Sequence, residues 1–154
     1  IKKIRNIGAT VKFNHEVIGY NNRLDTLQAS ILIHKIDQLD KLNNNRVLIA
    51  EKYFSEIKNP KIKFLNYAPN SVFHQFVVCV KNRKVFTKYL ENNKIEYGFH
   101  YPHTINQMTY FKENYGKHKF INSEKLAAQC VSLPIDPMLK VNEVKYVIKV
   151  LNLF

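Results

Sequence analysis

The chain has 154 residues, of which 45% are hydrophobic and 23% are charged, the balance of a globular domain with a real core. No window approaches the roughly 20 apolar residues of a membrane helix, and the first residues lack the apolar run of a secretory signal. The formal net charge of +12 is spread over single and paired lysines and arginines. This distribution favours a solvated surface over a nucleic-acid-binding face, so we expect neither a membrane nor a nucleic acid as partner.

The two cysteines predict a reducing compartment. Cys79 and Cys130 are each flanked by apolar residues, in FVVCVK and AAQCVSLP, and no CxxC motif occurs. This context is typical of small buried hydrophobic side chains rather than of a disulfide framework or a metal site. We therefore expect a cytoplasmic protein with two free thiols. Because the chain does not begin with Met, we also expect further protein upstream of it.

A long amphipathic helix is predicted from Arg23 to Ile57, because apolar residues recur there at helical spacing. Asn22 is the expected N-cap, and Asn59-Pro60 ends the element. The segment KLNNNR, residues 41–46, is a weaker helix former and is the expected place of a bend. So long a helix cannot bury its apolar face against the rest of this chain alone. We expect it to pack on another domain or another subunit.

Beyond Pro60 the sequence alternates between short strands and helices. Strands are predicted where β-branched and aromatic residues cluster, and helices where apolar residues recur at helical spacing. The predicted sheet strands are 72–80, 95–101 and 130–133, preceded by a short alternating segment at 61–65, and the predicted helices are 83–92, 106–115, 123–129 and 141–151. This order predicts an α/β (α+β) domain with a small three-stranded sheet covered on one face by helices.

Two short segments carry the polar groups best placed for chemistry. Asn21 and Arg23 lie at the start of the long helix, where an amide, a guanidinium and helix N–H groups suit a phosphate or a carboxylate. His100 and Tyr101 lie where a predicted strand ends at Pro102, and such strand ends often face a cleft. A capped helix and an ordinary strand–turn are the alternative interpretations of these two segments.

The sequence carries no pattern of nucleophilic or metal chemistry. GxSxG, phosphate-loop and GxGxxG motifs do not occur, and the four glycines are dispersed. His100 and His103 have a His-x-x-His spacing, but no third ligand lies at a suggestive distance in the sequence. We therefore expect no metal site.

Four segments, taken in order, resemble one enzyme family. GYNNRLDTLQASIL, which starts at Gly19, is similar to the segment G-x-N-x-R-L/M-D-x-x-Q-A-A-x-L of the DegT/StrS family, the pyridoxal-phosphate-dependent nucleotide-sugar aminotransferases of fold type I. The segment from Asn43 to Tyr53 contains the pattern N-x-R-x-x-x-A-x-x-Y, FHYPHTIN resembles H-Y-P-x-P-x-H/N, and CVSLPIDPML resembles L-S-L-P-x-x-P-x-L. Together they cover nearly the whole chain from about His15 onward.

The resemblance implies a part of a larger enzyme. The chain would be the small C-terminal domain of a fold type I aminotransferase. Residues 1–22 would connect it to a cofactor-binding domain outside this sequence, 23–58 would form a long interdomain or dimer helix, and 59–154 would form a small α/β domain. No lysine here matches the one that forms the Schiff base, so no catalytic residue is assigned and the chain alone is expected to be inactive.

The resemblance also implies the roles of four residues in a dimer. Asn21 would bind the phosphate of pyridoxal 5'-phosphate across the interface, although most of the cofactor's contacts would come from the other domain. Arg23 would contact the acidic or diphosphate portion of the substrate, and His100 and Tyr101 would line the sugar pocket. The partner would be a second copy or the enzyme's N-terminal half.

The implied reaction moves an amino group from glutamate to a keto-sugar nucleotide, in amino-sugar or surface-polysaccharide biosynthesis. The wording R-L-D-T-L-Q and Asn106, which stands where His is commoner, favour amination at the sugar's 3-position over its 4-position. Thr104 departs from the second Pro of the motif. The alternative function is a non-catalytic dimerisation or regulatory module descended from the same domain.

Overall fold

A computed structural model describes residues 1–154 as two compact units, Ile1–Asp40 and Lys41–Phe154. None of its helices combines the length and apolar character needed to cross a membrane. The functional division at residues 22 and 58 stays a prediction, because it concerns contacts with protein outside this chain.

The first unit is built on a short hairpin that the sequence analysis did not predict. Strands β1 (Ala9–Val11) and β2 (Asn14–His15) pair antiparallel. Backbone bonds join the segments on either side, including Tyr20 N–H to the carbonyl of Ile4 at 2.7 Å. Gly8, with φ of +73°, lies at the closest approach, where an added Cβ would be 1.6 Å from the carbonyl oxygen of Val17. Only glycine fits there.

The single helix predicted over 23–57 is wrong in two respects. It forms two helices, α1 (Thr26–Ile36) and α2 (Leu39–Glu56), interrupted by a turn at residues 37–38, whereas 41–46 is helical. The N-cap is Asp25 rather than Asn22, because the Asp25 carboxylate accepts bonds from two backbone N–H groups of the first helical turn. Both residue types cap helices well, so sequence pattern alone could not choose between them.

The second unit confirms the predicted mixed α/β class. Its antiparallel sheet has the order β3-β4-β5, formed by Ile62–Phe64, Phe76–Val80 and Cys130–Leu133. Its remaining elements are α3 (Arg83–Asn92), a 3-10 turn (Ile105–Gln107), α4 (Thr109–Tyr115), α5 (Ile121–Gln129) and α6 (Val141–Leu153). The sheet has three strands, as expected, but one of them is not the strand expected.

The predicted strand 95–101 does not form. Its only ladder contact is a bridge between Gly98 and Ser132 on β5, and the short segment at 62–64 supplies the third strand instead. Aromatic packing explains the difference: the Tyr97 and Phe99 rings lie 5.4 Å apart, and the Arg83 guanidinium lies over the Phe99 ring. The alternating aromatic pattern therefore reflects side-chain stacking rather than a continuous backbone ladder.

Helix α2 anchors the core of this unit to the loop after β5. Tyr53 is fully buried, its ring packs edge-on to Phe76 of β4, and its hydroxyl donates to the carbonyl of Pro134 at 2.8 Å. Asn45 donates to the carbonyl of Pro137 from the same helix. Burial raises the pKa of Tyr53 well above its ordinary value, so the hydroxyl remains a donor. These bonds fix the loop that follows the Ser132-containing strand.

Tyr53→Phe should therefore lower the free energy of unfolding by about 1–2 kcal/mol, because it leaves a part-buried carbonyl without its donor while the ring packing is kept. Tyr146→Phe is the matched control: Tyr146 is exposed and also donates to a backbone carbonyl, that of Asn93, at 3.0 Å. The control should lose less than about 0.5 kcal/mol. Urea denaturation of both variants measures the difference, and equal losses would contradict the anchoring role of Tyr53.

Candidate functional site

Asn21 and Arg23 lie side by side in the first unit. Asn21 forms an antiparallel bridge with Asn6, and Asn22 N–H donates to the carbonyl of Arg5, so the segment is held by backbone bonds. The Arg23 Nε donates to Asn21 Oδ1 at 3.1 Å. This bond leaves the Asn21 amide N–H groups and the outer guanidinium nitrogens free to donate to an anion.

The start of α1 does not offer its N–H groups to an anion, contrary to the sequence-based expectation. The Asp25 carboxylate accepts from Leu27 N at 2.8 Å and from Gln28 N at 3.4 Å. An anion placed at this helix terminus would be repelled by the Asp25 carboxylate. Anion binding in this unit therefore depends on side chains rather than on the helix terminus.

A cationic cavity of about 420 Å³ lies in the same unit. Its lining residues are Lys2, Lys3, Arg5, Asn6, Ala9, Thr10 and Arg23. Lys3 forms the chain's one ion pair, with Glu16 at 2.6 Å, and its hydrogen bond holds the pKa of the Glu16 carboxyl below the ordinary value. The other three cations of the lining have no acidic partner, so the cavity favours a phosphate or a carboxylate.

His100 is held by the sheet of the second unit. Its Nδ1 lies 2.8 Å from the hydroxyl of Ser132, a buried residue of β5. Gly98 leaves room for the ring, since an added Cβ would be 3.0 Å from His100 Cε1. The imidazole itself is exposed, so one of its nitrogens is fixed and the other is free to meet a ligand.

The Ser132 contact also selects a tautomer of His100. The Ser132 hydroxyl has no other hydrogen-bond partner, and a buried O–H without an acceptor is costly. We therefore expect the hydroxyl to donate to Nδ1, which would place the proton of the neutral ring on Nε2. His100 then presents an N–H donor to the solvent side.

Tyr101 points outward from the same segment. Its side chain is 73% exposed, and its ring lies 5.6 Å from that of His100 in an edge-on arrangement. Its backbone carbonyl accepts a weak bond from the Cys130 thiol. Thus the structure brings His100 and Tyr101 together in the second unit and Asn21 and Arg23 together in the first.

A cavity of about 440 Å³ beside His100 contains residues that sequence reasoning did not select. Arg46, His74, Glu96 and Asp136 contribute ionisable side chains to its lining, together with His100. Arg46 belongs to the N-x-R motif and is oriented by a bond to Asn43 Oδ1 at 3.2 Å, so the motif was an available signal. No sequence signal pointed to the carboxylates of Glu96 and Asp136, because these residues lie in irregular segments far apart in the sequence. No cluster of three or more His, Cys, Asp or Glu side chains is arranged to hold a metal ion.

Asn106 has a structural role in this chain. Its amide donates to the carbonyl of His118 at 2.8 Å and to Glu124 Oε1 at 2.7 Å, and its oxygen accepts from Thr104. The side chain is buried and its donors are used within the protein. Any influence of Asn106 on a ligand is therefore indirect, through the loop that it holds.

Comparison with known proteins finds one family over almost the full chain. The model of the DegT/DnrJ/EryC1/StrS aminotransferase family matches residues 1–152. The dTDP-3-amino-3,6-dideoxy-alpha-D-galactopyranose transaminase of Aneurinibacillus thermoaerophilus is 37% identical over 151 residues, which cover 97% of this chain and 41% of that protein. The dTDP-3-amino-3,4,6-trideoxy-alpha-D-glucose transaminase of Streptomyces venezuelae is 32% identical over 144 residues, or 91% of this chain and 38% of that protein.

A solved structure agrees in fold. The DesV protein of S. venezuelae superposes with a TM-score of 0.92 at 30% identity, covering 98% of this chain and 42% of that one. The chain thus spans about two fifths of the length of the proteins it matches.

Ser132→Ala should remove the preference of His100 for one tautomer. With the hydroxyl removed, Nδ1 no longer has a buried donor, and the neutral ring should become a mixture of the two tautomers. The 15N chemical shifts of the His100 ring measure the change directly. Ser123→Ala, an exposed substitution in α5, is the control and should leave the ring shifts as they are. A wild-type ring protonated on Nδ1 would contradict the assignment.

Proposed function

The chain belongs to the DegT/DnrJ/EryC1/StrS aminotransferase family, and from this membership we propose that it is the C-terminal part of a pyridoxal-phosphate-dependent enzyme. The complete enzyme moves an amino group from glutamate to a keto-sugar nucleotide, in amino-sugar or surface-polysaccharide biosynthesis in the cytoplasm. The observation that carries the proposal is the Asn21–Arg23 pair, two residues of the family motif that hydrogen-bond to each other and leave their remaining donors free.

The residues of the first unit fit the phosphate of the cofactor. Asn21 keeps two amide donors for a phosphate oxygen, and the nearby cations favour a dianion. We assign Asn21 to this phosphate across a subunit interface, with most of the cofactor's contacts coming from the part of the enzyme outside this sequence. Pyridoxal phosphate, when bound, supplies the electron sink for the transfer. The residues of this chain bind the cofactor phosphate and the substrate and orient them.

Arg23 recognises the acidic portion of a substrate. Its Nε is engaged by Asn21, which fixes the plane of the guanidinium, and its outer nitrogens can form a two-pronged contact with a carboxylate or a diphosphate. The glutamate side chain and the nucleotide diphosphate both present such groups. Fixing the plane in advance lowers the entropic cost of the contact.

His100 and Tyr101 bind the sugar. A neutral His100 with its proton on Nε2 donates a hydrogen bond to a hydroxyl or keto oxygen, and it is held in place by Ser132. The exposed Tyr101 adds a ring face and a hydroxyl. The names of the two transaminases above describe sugars with an amino group at the 3-position. This supports a 3-keto sugar as the substrate.

The partner is a second copy or the N-terminal half of the enzyme. Helix α1 has no buried residue in this chain. Large apolar side chains exposed along it are Leu27, Ile31, Leu32, Ile33 and Ile36. So much exposed apolar surface on one helix supports an interface with other protein. We propose that the chain alone is inactive because the Schiff-base lysine belongs to the other half.

The proposed function predicts a split-enzyme reconstitution. This chain is combined with a separately made N-terminal half from a member of the family, together with pyridoxal phosphate, glutamate and a 3-keto-sugar nucleotide. The mixture should restore cofactor absorbance and give an aminated sugar nucleotide. Each half alone should give neither. Association of the halves without any amination would favour the non-catalytic dimerisation or regulatory module, and a complete lack of association would contradict the proposal.

Arg23→Ala in the complete enzyme should raise KM for the acidic substrate roughly 10- to 100-fold, since a two-pronged charged contact contributes about 1.5–3 kcal/mol. Thermal stability should be unchanged, because Arg23 is exposed and bonds only to Asn21. Steady-state kinetics and a melting curve measure the two effects. Lys88→Ala on α3, also exposed, is the control. A fall in melting temperature without a change in KM would make Arg23 a structural residue.

A further inference from the structure

The two cysteines lie directly opposite each other on neighbouring strands. Cys79 of β4 pairs with Cys130 of β5 in the antiparallel register, and both thiols are free. Because directly opposite residues project to the same face of a sheet, the two thiols share one face. Cys130 is buried, whereas Cys79 is partly accessible.

The pair occupies a position where the two strands are not joined by backbone bonds. Ser132 directs its N–H and C=O to Gly98, away from β4, at 2.8 and 3.1 Å. Its partner Val77 directs its own N–H and C=O to the hydroxyl of Tyr67. The pair Val77–Ser132 is therefore non-hydrogen-bonded. Such pairs alternate along an antiparallel ladder, so Cys79–Cys130, two residues further along, is also non-hydrogen-bonded.

This position has the dimensions of a disulfide. Opposite Cα atoms in a non-hydrogen-bonded pair are about 4.5 Å apart, inside the range of about 4.4–6.8 Å that disulfides span. We propose that Cys79 and Cys130 are a modification site that reversibly forms an intramolecular disulfide, and that its formation releases the segment carrying Tyr101.

The oxidant is a small disulfide such as oxidised glutathione. The more accessible Cys79 attacks as thiolate, forms a mixed disulfide and releases one glutathione thiolate. The Cys130 thiolate then attacks the Cys79 sulfur and releases the second glutathione. Two protein thiols are oxidised, one disulfide is reduced, and two protons leave. Burial raises the pKa of the Cys79 thiol, with a smaller contribution from the nearby Cys130, so the first step should accelerate as the pH rises above neutral.

The modification is coupled to Tyr101 through one hydrogen bond. The Cys130 Sγ lies 3.6 Å from the carbonyl oxygen of Tyr101 and 3.7 Å from that of Ala127. Disulfide formation removes the Cys130 proton, so the Tyr101 carbonyl loses this donor, whereas the Ala127 carbonyl keeps its bond from the Arg83 guanidinium. Any effect on sugar binding rests on the proposed function, whereas the loosening of the segment does not.

Peptide mapping tests the cross-link. The protein is equilibrated with oxidised glutathione, its remaining thiols are blocked, and it is cut with trypsin, which places Cys79 in the peptide 64–81 and Cys130 in the peptide 126–140. We expect these two peptides joined, with a mass lower by two hydrogens than their sum, and separated again by dithiothreitol. Cys79→Ser should abolish the joined species. Separate glutathionylation of each cysteine, or linkage only in denaturant, would overturn the proposal.

Hydrogen exchange tests the coupling without any activity assay. Exchange of the amides of residues 98–101 should become about two- to five-fold faster on oxidation, the effect expected from losing one weak S–H hydrogen bond. Cys79→Ala keeps the Cys130 thiol and cannot form the cross-link, so its exchange should not respond to the oxidant. A cross-linked protein with unchanged exchange would refute the release of the segment. Failure of amination in the reconstituted enzyme would leave both results intact.

Discussion

Ser132 directs all three of its polar groups toward one short segment. Its backbone N–H and C=O pair with Gly98, and its hydroxyl reaches His100. Because β5 is an edge strand, its outer edge needs partners, and the Gly98 bridge supplies them at the residue that also fixes the imidazole. The orientation of His100 is therefore set by the sheet rather than by a free loop, and the sheet in turn is tied to α2 through the hydroxyl of Tyr53.

The two units obtain their order from different forces. The second unit has a continuous hydrophobic core, in which Phe76 and Val78 of β4 are fully buried. In the first unit the buried residues are Gly8 and Ala9, so backbone bonds and the close approach at Gly8 hold the chain, while the apolar side chains of α1 remain uncovered. A unit stabilised in this way gains most from protein that packs on it. This is the physical reason to expect that the site residues Asn21 and Arg23 acquire their final surroundings in an assembly.

The sequence pattern was sufficient where local preference and burial agree. Helix 83–92 and strand 130–133 form at the predicted residues, because their periodicity is set by the core that they face. The pattern failed where tertiary packing decided. Residues 95–101 have a strand-like alternation that aromatic stacking and a single bridge account for. The helix break at 37–38 contains neither Gly nor Pro, the usual sequence signals. Likewise, flanking residues predicted both cysteines as isolated hydrophobic side chains, and only the register of two distant strands brings them together.

The excess of positive charge has a local consequence that composition alone obscured. Although the chain has twice as many basic as acidic side chains, it forms one ion pair, so most of its cations are solvated and contribute little. In the first unit, however, several of them share one concave surface, where their fields add and favour an anion in place of the missing acidic partners. The ring of His100 in the second unit is held differently, by the hydroxyl of Ser132 at 2.8 Å from Nδ1. Under the proposed function, phosphate or carboxylate groups are recognised by the cations of the first unit and the uncharged sugar oxygens by His100, which is the division that a charged nucleotide joined to an uncharged sugar requires.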